Sequence, residues 1–473
     1  MRRSTLFLFI YLLFGFSISA QHQEIGEKPS IWKGNKADAS DSNAFIHAFR
    51  NGRLNGHLRY FFMATDNESG LKDYYAHAAG GGIRFETAPY KGFQLGISGF
   101  FTFNIGSTDL SVNDAKTNQP NRYEIGLFDV EDPGNTSDID RLEELFLKFS
   151  KKQFTLTIGK QLINTPFINL QDGRMRPTEV SGLWTEVKTL YGLKIEGGFL
   201  YQISPRGTVR WFGVDESIGV FSSGVNADGS RSGYAGNTHS SGIGLLGISH
   251  RLNERLSLKL WNMYVQNISN SFLFQADKVY SLGNTEKIVA GVQTIAQFRT
   301  GDGGNTDPVK RYVQDKGSLS FGAMFGWEKK GFSTSLNYTR ITSRGRYLIP
   351  REWGRDPFYT FMPRERNEGL ADVHALVMKW GYKPPKSRFQ PQLAIGYYDL
   401  PSVQHYEHNK YGMPSYVQFN FDLRYPFRGI LEGLNAQLLY VYKGKATNAM
   451  LSERNKIHKV NMHLWNIVFN YNF

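Results

Sequence analysis

Guanidinium groups concentrate in two stretches of this 473-residue chain. The first is Asp172-Gly173-Arg174-Met175-Arg176-Pro177; the second runs from Arg344 and Arg346 through Arg351, Trp353 and Arg355 to Arg364 and Arg366. Arginine keeps its charge at any working pH, and its planar fork of donors matches a carboxylate with two parallel hydrogen bonds. Arginines strung along a low-dielectric wall concentrate the field there and can pass an anion from one fork to the next. On an open loop the same charges do little beyond a Debye length of about 8 Å, apart from contact with anionic lipopolysaccharide. The chemistry therefore depends on what holds these two stretches.

Three other patterns resemble reactive sites and lack the surroundings that chemistry needs. Gly242-Ile243-Gly244-Leu245-Leu246-Gly247 spells G-x-G-x-x-G, but a dinucleotide site requires strand, turn and helix, and here the glycines run on into an alternating strand. His405 and His408 stand three apart in a loop-like stretch, Pro401 to Pro414, without an evident third ligand. Gly301-Asp302-Gly303-Gly304-Asn305-Thr306-Asp307 offers oxygens to Ca²⁺ and reads more simply as a polar turn. No Ser–His pairing stands out as a nucleophile with its base. The reading is accordingly no cofactor, no metal and no enzyme.

The elements that carry the arginines are alternating strands. Phe93, Leu95, Ile97, Phe101 and Phe103 repeat at period two, as do Tyr191, Leu193, Ile195, Phe199 and Tyr201, and Val417, Phe419, Phe421, Leu423 and Tyr425. The pattern persists to the last residue in Trp465, Ile467, Phe469, Tyr471 and Phe473. Each segment has roughly the ten residues with which a tilted strand crosses a bilayer. Their connections alternate between short ones, such as Tyr90-Lys91-Gly92 and Glu328-Lys329-Lys330-Gly331, and long ones, such as 104–143, 205–240, 300–316 and 343–371. The pattern predicts an all-β fold, a transmembrane antiparallel β-barrel of about 18 strands with short periplasmic turns and long extracellular loops.

Arg2 and Arg3, the apolar run Leu6 to Phe16 and the small-residue end at Ala20 mark residues 1–20 as a signal peptide. Residues 21–54 then form an N-terminal periplasmic segment, too short for a plug domain, and 55–473 the barrel. Beyond Ala20 no apolar run reaches helix-spanning length. Aromatic residues at 14%, 49 glycines and no cysteine suit short strands in an exported chain. A net charge of +13 suits anionic solutes or a membrane surface; export and the lack of clustered basic and aromatic residues exclude nucleic acid. These features place the chain in the outer membrane of a Gram-negative bacterium.

Where the apolar phase faces lipid, the opposite phase faces the lumen. An Arg or Lys turned to lipid at mid-depth costs about 2–4 kcal/mol, which assigns Arg59, Arg84, Arg299, Lys379 and Arg424 to the inward face. They outnumber inward acids such as Glu86, Glu144 and Asp422, so the lumen is expected to be water-filled and positive.

The segment from Gly159-Lys160-Gln161 through Thr165-Pro166-Phe167 and Asp172-Gly173-Arg174-Met175-Arg176-Pro177 to Gly182 resembles the OprD family of outer-membrane porins. Glu352-Trp353-Gly354-Arg355-Asp356-Pro357-Phe358-Tyr359, followed by Arg364-Glu365-Arg366-Asn367-Glu368-Gly369, is similar to a later loop of that family. The resemblance implies an 18-stranded monomeric barrel whose long loops fold inward to a narrow eyelet with an arginine ladder for carboxylates. It carries over to Arg174, Arg176, Arg355, Arg364 and Arg366; Arg344, Arg346 and Arg351 are adjacent candidates. Asp356, Glu365 and Glu368 interrupt the ladder and can pair with its arginines.

The expected function is a passive, substrate-selective diffusion channel for small polar or anionic solutes: carboxylates, amino acids or short oligosaccharides. Its partners would be those solutes, outer-membrane lipid and lipopolysaccharide, and the barrel assembly machinery, with the protein a monomer or weak homotrimer. The alternative is a surface-binding barrel whose long loops hold a partner or polysaccharide over an occluded bore.

Overall fold

The computed structural model describes residues 44–135, 137–170, 174–189, 192–384 and 387–473. The expected signal peptide, residues 21–43 of the 21–54 segment, and Asp172 and Gly173 of the first arginine stretch lie outside the described residues. A short helix, Phe45–Arg50, leads into the first strand, Arg53–Asp66.

All strands join one sheet. One of its nineteen is the two-residue Phe212–Gly213, paired only with Gln202 and Ile203; the other eighteen follow one another around the wall, each antiparallel to its neighbours. The first strand pairs with the last, Met462–Asn472, from His57 opposite Asn472 to Asp66 opposite His463. Gly56 and Phe473 complete the seam with two backbone hydrogen bonds, of 2.8 and 3.1 Å. Among the described residues the eighteen-stranded wall has no unpaired edge strand, as hydrocarbon requires, where each orphaned amide costs several kcal/mol. The Phe473 ring lies over Gly56 so closely that a Cβ there would be 2.2 Å from it.

Alternation sets the two faces. Along the last strand Trp465, Ile467 and Phe469 project outward, exposed to the bilayer, while Leu464, Asn466 and Val468 are buried inside. No helix among the described residues is long and apolar enough to cross a membrane.

Eight connections at the end bearing Gly56 and Phe473 have two to seven residues. Two of them use Lys91-Gly92 and Lys330-Gly331, with φ of 51° and 83°, and 48° and 86°. Paired positive φ matches the right-handed twist of hairpin strands, and only glycine adopts it at the second position without strain. The nine connections at the opposite end include the expected long loops, but also two brief ones, 67–73 and 266–268. The expected division by length therefore fails at two loops.

The interior departs from the expected water-filled lumen. Phe167 and Ile168 of loop 162–178, Val214 and Ile218 of loop 205–242, and Tyr347, Trp353, Phe358 and Met362 of loop 342–372 pack on inward wall residues including Trp184, Trp261 and Tyr398. Trp353 is fully enclosed, and its indole N–H donates to Ser217 Oγ at 3.0 Å. An eighteen-stranded wall leaves a wide bore. Loops that fold into it bury apolar side chains, each contributing about 1.5–3 kcal/mol, so part of the lumen becomes a dry core.

Candidate functional site

The wall cations Arg59, Arg84, Arg299, Lys379 and Arg424 are half-buried and engaged with neighbouring groups. Arg59 donates to Asn470 Oδ1 at 3.0 Å and lies over the Phe61 ring. Arg84 forms ion pairs with Glu86 at 2.9 Å and Glu144 at 2.8 Å. Arg424 pairs with Asp422 at 3.1 Å, Lys379 donates to the Tyr359 carbonyl at 2.7 Å, and Arg299 to the Gln314 carbonyl at 2.9 Å. These charges brace the wall and the loops that lean on it.

The loop arginines fall into separate groups. Arg344 is exposed at the rim, its guanidinium 5.8 Å from the Phe298 ring, away from the interior. Arg346 is buried and donates to the carbonyls of Val225, Tyr406 and Glu407, tying three loops together. Arg355 is 2% exposed, stacks 4.6 Å from the Phe361 ring, and donates its backbone N–H to Asn169 Oδ1 at 3.1 Å. Arg174 is buried against Gly126, where an added Cβ would be 2.4 Å from Nη1. Arg176 is buried in the field of Arg141, Glu143 and Glu179, and burial followed by repulsion from Arg141 lowers its pKa to about 9. Both segments of the predicted ladder therefore contain arginines that pack loops together.

Arg351, Arg364 and Arg366 do converge. They line one concavity with Arg122, Lys443, Glu368, Tyr411, Tyr416, Met413, Leu370 and His458. Loop 108–139 supplies Arg122, loop 342–372 the three arginines and Glu368, loop 400–415 Tyr411, and loop 446–461 His458; Tyr416 and Lys443 come from the wall. Five cations thus face one acid. The space they enclose is about 20 Å³, room for about one water.

The acids that interrupt the arginine loop are neutralised in two ways. Glu368 accepts from Lys410 at 3.0 Å, Arg351 at 3.1 Å and Tyr411 at 2.7 Å. Burial opposes its charge, yet Lys410 and Arg351 hold its carboxyl below the usual range. Glu365, next to Asn367 and Asp356, goes the other way: burial and then repulsion from Asp356 push it up to about 8, so it is mostly protonated at neutral pH. Asp356 is raised by burial too.

His458 adds no charge. Burial, then repulsion from Arg122, lowers its pKa to about 3, and neither ring nitrogen has a hydrogen-bond partner.

Sequence reasoning missed Arg122, Tyr411, Tyr416, Lys443 and His458. The inward-phase argument that selected Arg424 applies equally to Lys443, which lies between outward Tyr442 and Gly444 and is 3% exposed. Tyr416 opens a wall strand, and Arg122, Tyr411 and His458 sit singly in different loops, without a local pattern. Beside His405 and His408, Glu407 brings a carboxylate oxygen within 4.8 Å of a ring nitrogen of each.

The closed eighteen-stranded wall, with loops folded into its bore and cations gathered among them, has the architecture of an outer-membrane channel. The sequence profile of the outer membrane porins of the OprD family matches residues 48–356, and the chain belongs to that family. It is similar in fold to OpdK of Pseudomonas aeruginosa, solved with vanillate, at 15% identity and a TM-score of 0.68 over 90% of this chain and 99% of that one. OccK9 (OpdG) of the same organism gives 16% and 0.70, and OccAB2 of Acinetobacter baumannii 15% and 0.66, with the same coverage. No curated protein shows significant sequence similarity to this chain.

Proposed function

We propose that the protein is a passive diffusion channel selective for small solutes that carry a carboxylate or another anionic group. The observation that carries this reading is the convergence of Arg122, Arg351, Arg364, Arg366 and Lys443 on one enclosed space with Glu368 as its single acid. Fixed cations between low-dielectric walls concentrate anions, and forked guanidinium groups orient a carboxylate. Passive passage asks only that the solute find successive sites of moderate strength.

Reconstituted single channels under a salt gradient test the proposal. A reversal potential of anion-selective sign is expected, and clear cation preference overturns it. The small volume at the arginines favours a second reading, a barrel whose loops occlude the bore and bind a partner outside. Liposome swelling with amino acids and small organic acids separates the two, because an occluded barrel gives none.

A further inference from the structure

Loop 400–415 presents His405, Glu407 and His408 toward one another on the extracellular side. One ligand atom from each lies within 4.8 Å of the others, and the two imidazole centroids are 4.3 Å apart. His405 and Glu407 are exposed and His408 is half-buried. His408 Nδ1 is shielded from solvent and has no hydrogen-bond partner. Two imidazoles and a carboxylate converge here, with Asp372 in electrostatic reach of His408.

The backbone beneath them is fixed from several directions. Arg346 donates to the carbonyls of Tyr406 and Glu407, the Ala371 N–H donates to the His408 carbonyl at 2.9 Å, and the His408 N–H closes a turn on the His405 carbonyl at 3.0 Å. Asn409 holds the flanks, its amide donating to the carbonyls of Pro401 at 3.0 Å and Met413 at 2.8 Å. An ion arriving here meets a loop that is already ordered, so little conformational entropy is lost on binding.

We propose that His405, Glu407 and His408 form a binding site for a divalent transition-metal ion of the Zn²⁺ or Ni²⁺ class, separate from the arginine-lined space. Neutral imidazole and carboxylate suit these borderline ions, whereas Ca²⁺ and Mg²⁺ require mainly oxygen ligands. Around a tetrahedral ion with bonds of about 2.0–2.1 Å, ligand atoms stand about 3.3 Å apart, so rotation of the two exposed side chains closes the set. Water completes the coordination on the open side. His405 and His408 serve as neutral donors through one ring nitrogen each, and Glu407 contributes the only negative charge.

The test is a titration of the untagged, full-length protein in detergent with ZnCl₂, followed calorimetrically. One saturable site per chain is expected. His405→Ala/His408→Ala should abolish it, and Glu407→Gln should weaken it by about tenfold or more. As a second readout, Zn²⁺ should protect both histidines of the parent protein from diethyl pyrocarbonate modification detected by mass spectrometry. The variants should keep the heat-modifiable electrophoretic shift of a folded barrel, because the altered side chains lie at the loop surface. Absence of saturable binding below about 1 mM, or identical binding by the double-histidine variant, overturns the proposal.

Discussion

Lys410 Nζ and Glu368 Oε1 form an ion pair at 3.0 Å in which each side chain is 2% exposed. Lys410 also donates to the Tyr234 hydroxyl at 3.0 Å, and burial lowers its pKa. The pair joins loop 400–415 to loop 342–372 at the back of the arginine-lined space. A sealed pair of this kind contributes little compared with a well-packed apolar substitute, but removing one partner leaves a charge without compensation. Lys410→Met should therefore destabilise the folded barrel by about 3 kcal/mol, measured as a shift in the urea midpoint of unfolding in lipid vesicles. A change below about 0.5 kcal/mol would show that Arg351 alone suffices for Glu368.

Arg351→Ala and Arg366→Ala should each lower single-channel anion conductance more at about 0.1 M salt than at 1 M, because the Debye length falls from about 10 Å to 3 Å. Arg344→Ala, at the rim, should leave both values unchanged. Equal losses for all three variants would mean that position in the bore is irrelevant.

Arg355→Ala should behave differently from Arg366→Ala. The Arg355 guanidinium is packed on Phe361, and its truncation should lower stability by about 1–2 kcal/mol while the reversal potential stays the same. A large change of selectivity with unchanged stability would move Arg355 into the solute path.

Glu365 is expected to make the arginine-lined space sensitive to pH. With its pKa pushed up to about 8, the carboxyl is neutral below that value and charged above it. Raising the pH from about 7 to about 9 places a negative charge in the field of Lys443 and Arg366, so anion preference should fall over that interval. Glu365→Gln should flatten the profile in bilayer recordings made at several pH values. A Gln variant with the same pH dependence as the parent assigns the titration to another group.

Much of the wall is legible in the chain because its rule is local. Period two decides which side of Leu464 to Phe469 meets lipid, and a lysine between outward residues must turn inward to avoid the cost of hydrocarbon. Lys91-Gly92 and Lys330-Gly331 mark turns through backbone sterics alone. The eyelet follows no local rule. Arg122 and His458 lie more than three hundred residues apart and meet because two loops fold into the same bore. Arg344 and Arg351 look equivalent in a list of loop arginines, yet one is at the rim and the other is against Tyr411 at 3.7 Å. The dry interior follows no local rule either. Trp353 and Phe358 show no periodicity, and their burial depends on how far the loop reaches between facing walls.

The contact between Gly56 and Phe473 has a consequence for the order of the chain. Positions that are 417 residues apart in sequence exchange two backbone hydrogen bonds, so the wall is a ring without an intrinsic first member. A peptide link across that contact, with a new opening at the exposed bend around Gly283, would give a circular permutant that keeps every strand neighbour. The sequence in which strands leave the ribosome is thereby separable from the sequence in which they stand around the bore.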